Sequence, residues 1–165
     1  MNIILIGMPT SGKSTVGVIL AKELGMDFMD TDLLLQKCSG QRLCDMISHT
    51  GMNTFLAAEE QLCLQLSVRN TVIATGGSVI YGEKAMEHFR TLGRIFYLEI
   101  SLNTLKERLQ DARQRGVVLR DGQSIDSLYT ERSGLYRRWA DVTIREQGYS
   151  LEETVQAVIR AHSLS

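Results

Sequence analysis

The 165-residue sequence predicts an α/β fold of three layers, helix–sheet–helix, built on a five-stranded parallel sheet. Three observations carry this. Five short apolar runs alternate with helical patterns, the runs are continuous rather than alternating, and a glycine-rich loop joins the first run to the first helical stripe. Continuous apolar runs such as Ile3-Ile4-Leu5-Ile6 suit strands covered on both faces, as in a parallel sheet. Strand–helix alternation then gives the layered arrangement.

In chain order, the strands fall at 2–6, 28–29, 71–74, 94–98 and 142–144. Helical patterns occupy 13–25, 32–37, 52–68, 83–91, 102–113, 124–138 and 151–162. The single proline, Pro9, lies in the glycine-rich loop, so helices elsewhere run unbroken. No repeat, low-complexity tract or linker divides the chain, which reads as one domain over 1–165 with an ordinary core.

Composition narrows the partners. Eighteen basic and nineteen acidic residues give a net charge of −1, which offers no electrostatic footprint for nucleic acid or an anionic membrane. No run approaches the length of a membrane span, and the first apolar run is too short for a signal peptide. Cys38, Cys44 and Cys63 are odd in number and lack metal-site spacing, so they read as thiols of a reducing compartment. The expectation is a cytoplasmic monomer acting on a small molecule.

The first strand leads into Gly7-Met8-Pro9-Thr10-Ser11-Gly12-Lys13-Ser14, which fits the phosphate-loop pattern G-x-x-x-x-G-K-[ST] at every specified position. Glycines let the backbone curl so that successive N–H groups face phosphate oxygens, and the following helix adds its positive dipole end. Residues Thr10, Ser11, Gly12, Lys13, Ser14 and Thr15 are therefore expected to hold ATP. Lys13 would sit on the β- and γ-phosphates, and Ser14 would give an oxygen to Mg²⁺. A phosphate loop serves kinases, ATPases and GTPases alike, but the N-K-x-D motif of GTPases is absent.

Two further segments bear on the acceptor. Asp30-Thr31-Asp32 closes the second strand with two carboxylates that point the same way if extended. One could contact the Mg²⁺ shell and the other accept a proton, although Thr31 or Asp32 would also cap the next helix. The run 72–77 ends in Gly76-Gly77 at the carboxyl edge of the sheet, where open α/β sheets bind ligands; a plain tight turn would look the same.

Taken together, G-x-x-x-x-G-K-S-T at 7–15, D-T-D at 30–32, Phe55 with Glu59, A-T-G-G at 74–77, Arg115 and E-R-x-x-L-Y at 131–136 resemble the shikimate kinase family of phosphate-loop kinases. The match runs from residue 2 to about 145. The resemblance implies a lid and an acceptor-binding helical segment, placed at about 111–123 and 32–62. The lid stretch is rich in charge and glycine, as a moving loop should be. The resemblance further implies transfer of the ATP γ-phosphoryl group to a shikimate hydroxyl, with Asp32 at that hydroxyl and Asp30 near Mg²⁺. Gly76 and Gly77 would contact the acceptor, Arg132 its carboxylate, and Arg115 the ATP phosphates as the lid closes.

The chain departs from that family pattern at three places. The arginine expected after Phe55 is Leu56, the third glycine of G-G-G is Ser78, and the lid reads Arg115-Gly116-Val117-Val118 in place of R-P-L-L. The second and third changes are expected to affect loop stiffness more than chemistry. Leu56 removes a cation that would meet the acceptor carboxylate and face Glu59, leaving Arg42 or His49 as substitutes. It also opens two alternatives: a kinase of a polyol or ring alcohol without the carboxylate, or an ATP-binding regulator without catalysis. Retention of Asp32 and Arg132 argues against the regulator.

Overall fold

The computed structural model describes residues 1–112, 122–146 and 148–163. Five strands, β1 (Asn2–Ile6), β2 (Asp27–Asp30), β3 (Thr71–Ala74), β4 (Gly93–Glu99) and β5 (Val142–Arg145), form one sheet in the order β2-β3-β1-β4-β5. All four pairings are parallel, so every strand ends on the same edge. The helices are α1 (Lys13–Leu24), α2 (Thr31–Ser39), α3 (Leu43–Thr50), α4 (Met52–Leu64), α5 (Glu83–Leu92), α6 (Leu102–Ala112), α7 (Ile125–Trp139) and α8 (Leu151–Ser163), with a 3-10 turn at Val79–Tyr81.

The two-residue period of β1 sorts its side chains into two cores. Ile3 and Leu5 face α1 and α8 through Val16, Leu20, Val155 and Val158. Ile4 and Ile6 face the other layer through Met86, Phe89, Leu105 and Tyr136. All of β1 is buried, which is why its sequence shows no polar alternation.

The structure differs from the sequence reading in three respects. The second strand is twice as long as expected, because Asp27 and Asp30 complete the ladder with Thr71 and Ala74. The stretch 43–50 forms a helix, α3, that the sequence reading left out; Leu43, Met46 and Ile47 share one face, but the helix has only 8 residues and buries none of them fully. The helix after it stops at Leu64, four residues short of 68. No helix among the described residues is long and apolar enough to cross a membrane.

The register brings the motifs together. Asp30 lies beside Ala74, and Leu5 pairs with both Ala74 and Phe96, so the phosphate loop, Asp30-Thr31-Asp32 and Gly76-Gly77 all leave neighbouring strands at one edge. Thr31 Oγ1 accepts from the Gly76 N–H at 3.2 Å and Thr75 Oγ1 donates to the Leu5 carbonyl at 3.0 Å, tying the three segments.

Candidate active site

The phosphate loop turns tightly because two glycines allow it. A Cβ on Gly7 would lie 2.7 Å from the Leu98 carbonyl oxygen and 2.9 Å from Ser11 Oγ, so only glycine fits beneath the loop. Gly12, at φ 85°, is the left-handed N-cap of α1 and supplies no side-chain cap. The first N–H groups of α1 are therefore not claimed by a capping side chain, as an anion site at a helix start requires. Thr10 also has positive φ, 65°, and its buried hydroxyl has no partner among the described residues. Ser11 is buried below the turn, whereas Ser14 and Thr15 are exposed on the first turn of α1.

Lys13 is 7 % exposed and curls back over the loop. Its Nζ donates to the carbonyls of Gly7 at 2.9 Å and Met8 at 2.8 Å. Burial lowers its pKa to about 8, against the opposing pull of Asp32 and then Asp30. An ammonium held there and short of counter-charge is suited to receive phosphate oxygens.

Beside it, Ser14 Oγ donates to Asp30 Oδ2 at 2.6 Å. Two hard oxygens set next to a phosphate cradle fit the donor set of Mg²⁺, which takes one or two protein ligands and fills the rest with phosphate and water. Asp30 Oδ1 has a separate duty. It accepts from the Asp32 and Leu33 N–H groups at 2.9 and 3.1 Å, so Asp30, rather than Thr31 or Asp32, caps α2.

The cap frees Asp32 for the site. Burial raises its carboxyl to about 6, with Lys13 pulling it down and Asp30 pushing it up. A carboxyl that ionises near neutrality is matched to taking a proton from a hydroxyl. Gly76 and Gly77 form the strip of backbone in front of it. A Cβ on Gly76 would lie 2.6 Å from Asp32 Oδ1, and one on Gly77 would lie 3.3 Å from Arg132 Nη1. The bare backbone thus runs from the carboxylate to the guanidinium.

Arg132 is 7 % exposed on α7, which sets it apart from the solvated arginines of the surface. Its Nε donates to the Tyr81 hydroxyl at 3.3 Å, and its guanidinium carbon lies 5.4 Å from the centre of that ring. The motif tyrosine, Tyr136, donates to the Gly77 carbonyl at 2.6 Å and holds the strip in place. Of the two substitute cations, Arg42 is exposed and paired with Asp45 at 2.9 Å, and His49 is exposed. Arg115 and most of the segment 111–123 lie outside the described residues.

Sequence reasoning missed four residues here. Arg108 of α6 donates to the Thr10 carbonyl at 2.9 Å, with Glu146 3.9 Å from it, closing the nucleotide side of the loop. Nothing in the sequence separates Arg108 from a surface arginine. Glu146 follows β5 at the same carboxyl edge, which is the one signal that could have flagged it. Tyr81 was hidden in a 3-10 turn. Ser78, read as a mild loop change, instead donates to the buried Glu59 Oε2 at 2.7 Å, where Leu56 offers that carboxylate no guanidinium.

Comparison with known proteins agrees with this fold. The family model for shikimate kinase matches residues 9–163. The shikimate kinase of Thermodesulfovibrio yellowstonii is 33 % identical over 164 residues, covering 98 % of this chain and 94 % of the relative. Among solved structures, shikimate kinase from Aquifex aeolicus aligns with a TM-score of 0.86 at 30 % identity, over 99 % of this chain and 96 % of that one. Shikimate kinase from Acinetobacter baumannii in complex with shikimate aligns with a TM-score of 0.89 at 27 % identity, over 97 % and 91 %.

Proposed function

Because this chain belongs to the shikimate kinase family, whose members are ATP- and Mg²⁺-dependent phosphotransferases, we propose that it passes the ATP γ-phosphoryl group to a hydroxyl of shikimate. One observation carries the residue roles. The Gly76-Gly77 strip meets Asp32 at one end and Arg132 at the other, with Lys13 acting on Asp32 from the phosphate loop. An acceptor lying on the strip places a hydroxyl at Asp32 and a carboxylate at Arg132.

The hydroxyl oxygen attacks the γ-phosphorus, its new O–P bond forms as the bond to ADP breaks, and Asp32 takes the proton. Lys13 gives up the Gly7 and Met8 carbonyls and neutralises the β- and γ-phosphate oxygens. The N–H groups of Thr10, Gly12, Lys13, Ser14 and Thr15 cradle the same phosphates, with Arg108 bracing Thr10; Ser11, whose N–H donates to the Met8 carbonyl at 3.1 Å, closes the turn. Ser14 and Asp30 would hold Mg²⁺, which when bound would supply charge neutralisation to the phosphates. By the family resemblance, Arg115 is the further cation proposed to act on the ATP phosphates. Most of the rate comes from positioning and preorganised charge, as expected for a loose phosphoryl transition state.

Leu56 favours a second reading, an acceptor without the carboxylate. The test is kcat/KM for shikimate and for its uncharged hydroxymethyl analogue, in the native chain and in Leu56→Arg. With Arg132 holding the carboxylate, the native chain should prefer shikimate, and Leu56→Arg should lower the shikimate KM roughly tenfold by adding a charge-assisted contact. The analogue should lose affinity in that variant, its pocket then holding an unpaired guanidinium. Equal use of both acceptors by the native chain would overturn shikimate as the substrate.

A further inference from the structure

Glu59 stands on α4 one turn after Phe55 and Leu56 and is 3 % exposed. A buried carboxyl needs partners for its oxygens. Oε2 has one, the Ser78 hydroxyl at 2.7 Å. Oε1 has none among the described residues. It points at the acceptor strip, since a Cβ on Gly76 would lie 2.3 Å from Glu59 Oε1 and 2.6 Å from Asp32 Oδ1. A second carboxyl oxygen is therefore aimed at the backbone that Asp32 faces, and it is fixed there by a residue standing where the family pattern has glycine.

We propose that Ser78 is a positioning residue for the acceptor, its hydroxyl anchoring Glu59 so that Oε1 accepts a hydrogen bond from an acceptor hydroxyl over Gly76. This rests on the reading that the acceptor lies on the Gly76-Gly77 strip. A guanidinium at position 56 would hold Glu59 by charge and keep it ionised; the serine holds it by one neutral donor and leaves its ionisation open. Lys13 of α1, Asp32 of α2 and Arg132 of α7 are the charged groups that act on Glu59, and the Cys63 thiol of α4, itself pushed up by burial and then by Glu59, stays neutral beside it. Burial raises its carboxyl to about 7, the Ser78 bond and the two cations oppose this, and Asp32 adds to it. Acceptor affinity should consequently strengthen as pH rises through neutrality, because the ionised Oε1 is the better acceptor for a hydroxyl.

Two readouts test the role. The first is the pH dependence of the acceptor KM in Ser78→Ala, Ser78→Gly and Ser78→Thr. Ala and Gly should raise the KM for shikimate roughly tenfold near neutral pH and move its titration to higher pH. The ATP KM should be unchanged, and Thr, which keeps the hydroxyl, should restore the native profile. The second is the Glu59 carboxyl titration followed by ¹³C NMR with no acceptor present, which should move upward in Ala and Gly. A KM profile unchanged in Ala and Gly would overturn the proposal, whether or not melting temperature changes. So would a shifted Glu59 titration that leaves acceptor KM untouched. If shikimate itself proved not to be an acceptor, the NMR shift would still appear, and the KM arm would be read on the acceptor that is used.

Discussion

Adding one methyl group at Gly76 probes the acceptor site without touching the nucleotide side. Gly76 is not among the positive-φ glycines, so alanine adopts its backbone without strain. The methyl carbon would sit 2.3 Å from Glu59 Oε1 and 2.6 Å from Asp32 Oδ1. Nonbonded contacts of a Cβ below 3.0 Å are essentially never seen, so Asp32 must retreat by at least about 0.4 Å and Glu59 by about 0.7 Å. A reacting group displaced by about 1 Å costs on the order of a hundredfold in rate, so this smaller retreat, with the methyl also occupying acceptor space, should lower kcat/KM for the acceptor about ten- to a hundredfold. Overpacking should cost about 1–3 kcal/mol of stability. The assay is acceptor-dependent ADP release, with nucleotide affinity measured by calorimetry on the same sample. Nucleotide affinity should hold, because Lys13 and the phosphate loop are untouched. Gly77→Ala is the comparator: its methyl meets Pro9 ring carbons at 3.0 and 3.1 Å and Arg132 Nη1 at 3.3 Å, so a milder loss, mainly in acceptor KM, is expected. Gly76→Ala with a native kcat/KM would refute the placement of the acceptor on this strip.

Lys13→Ala should nearly abolish turnover while circular dichroism shows a folded protein, since Nζ bonds only loop carbonyls and Ser11 in the described structure. The nucleotide-free protein should be more stable at mildly acidic pH than at pH 8. Glu59 and Glu146 are raised from 4.5 to about 7, so between those values the folded state holds protons that the unfolded chain has released. Their contribution is full below about 4.5 and lost as pH rises toward 7. Each tenfold gain in the proton affinity of Glu59 on folding is worth about 1.4 kcal/mol, or roughly 3–6 °C in Tm, readable by differential scanning calorimetry across that range.

Much of the fold and part of the site are legible in the sequence for separable reasons. The strand bounds at Asn2–Ile6 and Thr71–Ala74 are readable because continuous burial leaves continuous apolar runs. Helix α3 is not, because its apolar face, Leu43, Met46 and Ile47, is too short to stand out and none of its residues is fully buried. The phosphate loop is readable because its chemistry is made by neighbours in sequence. The anchoring of Glu59 by Ser78 joins residues nineteen apart, and the bracing of Thr10 by Arg108 spans ninety-eight, so neither leaves a local pattern. The cap of α2 shows the same limit: Asp30, Thr31 and Asp32 are all credible caps by residue type, and only the backbone geometry selects Asp30.

That selection makes Asp32→Asn the most direct test of the account. Asp32 accepts no cap bond, so the substitution leaves α2 capped by Asp30 and alters only the group facing the strip. The measurement is kcat at saturating ATP and shikimate, beside the melting temperature of the same variant. The account predicts a fall in kcat of about a hundredfold or more, the scale of a positioned proton acceptor, with the fold intact. A native kcat in Asp32→Asn would contradict it, leaving Asp32 without a part in the transfer.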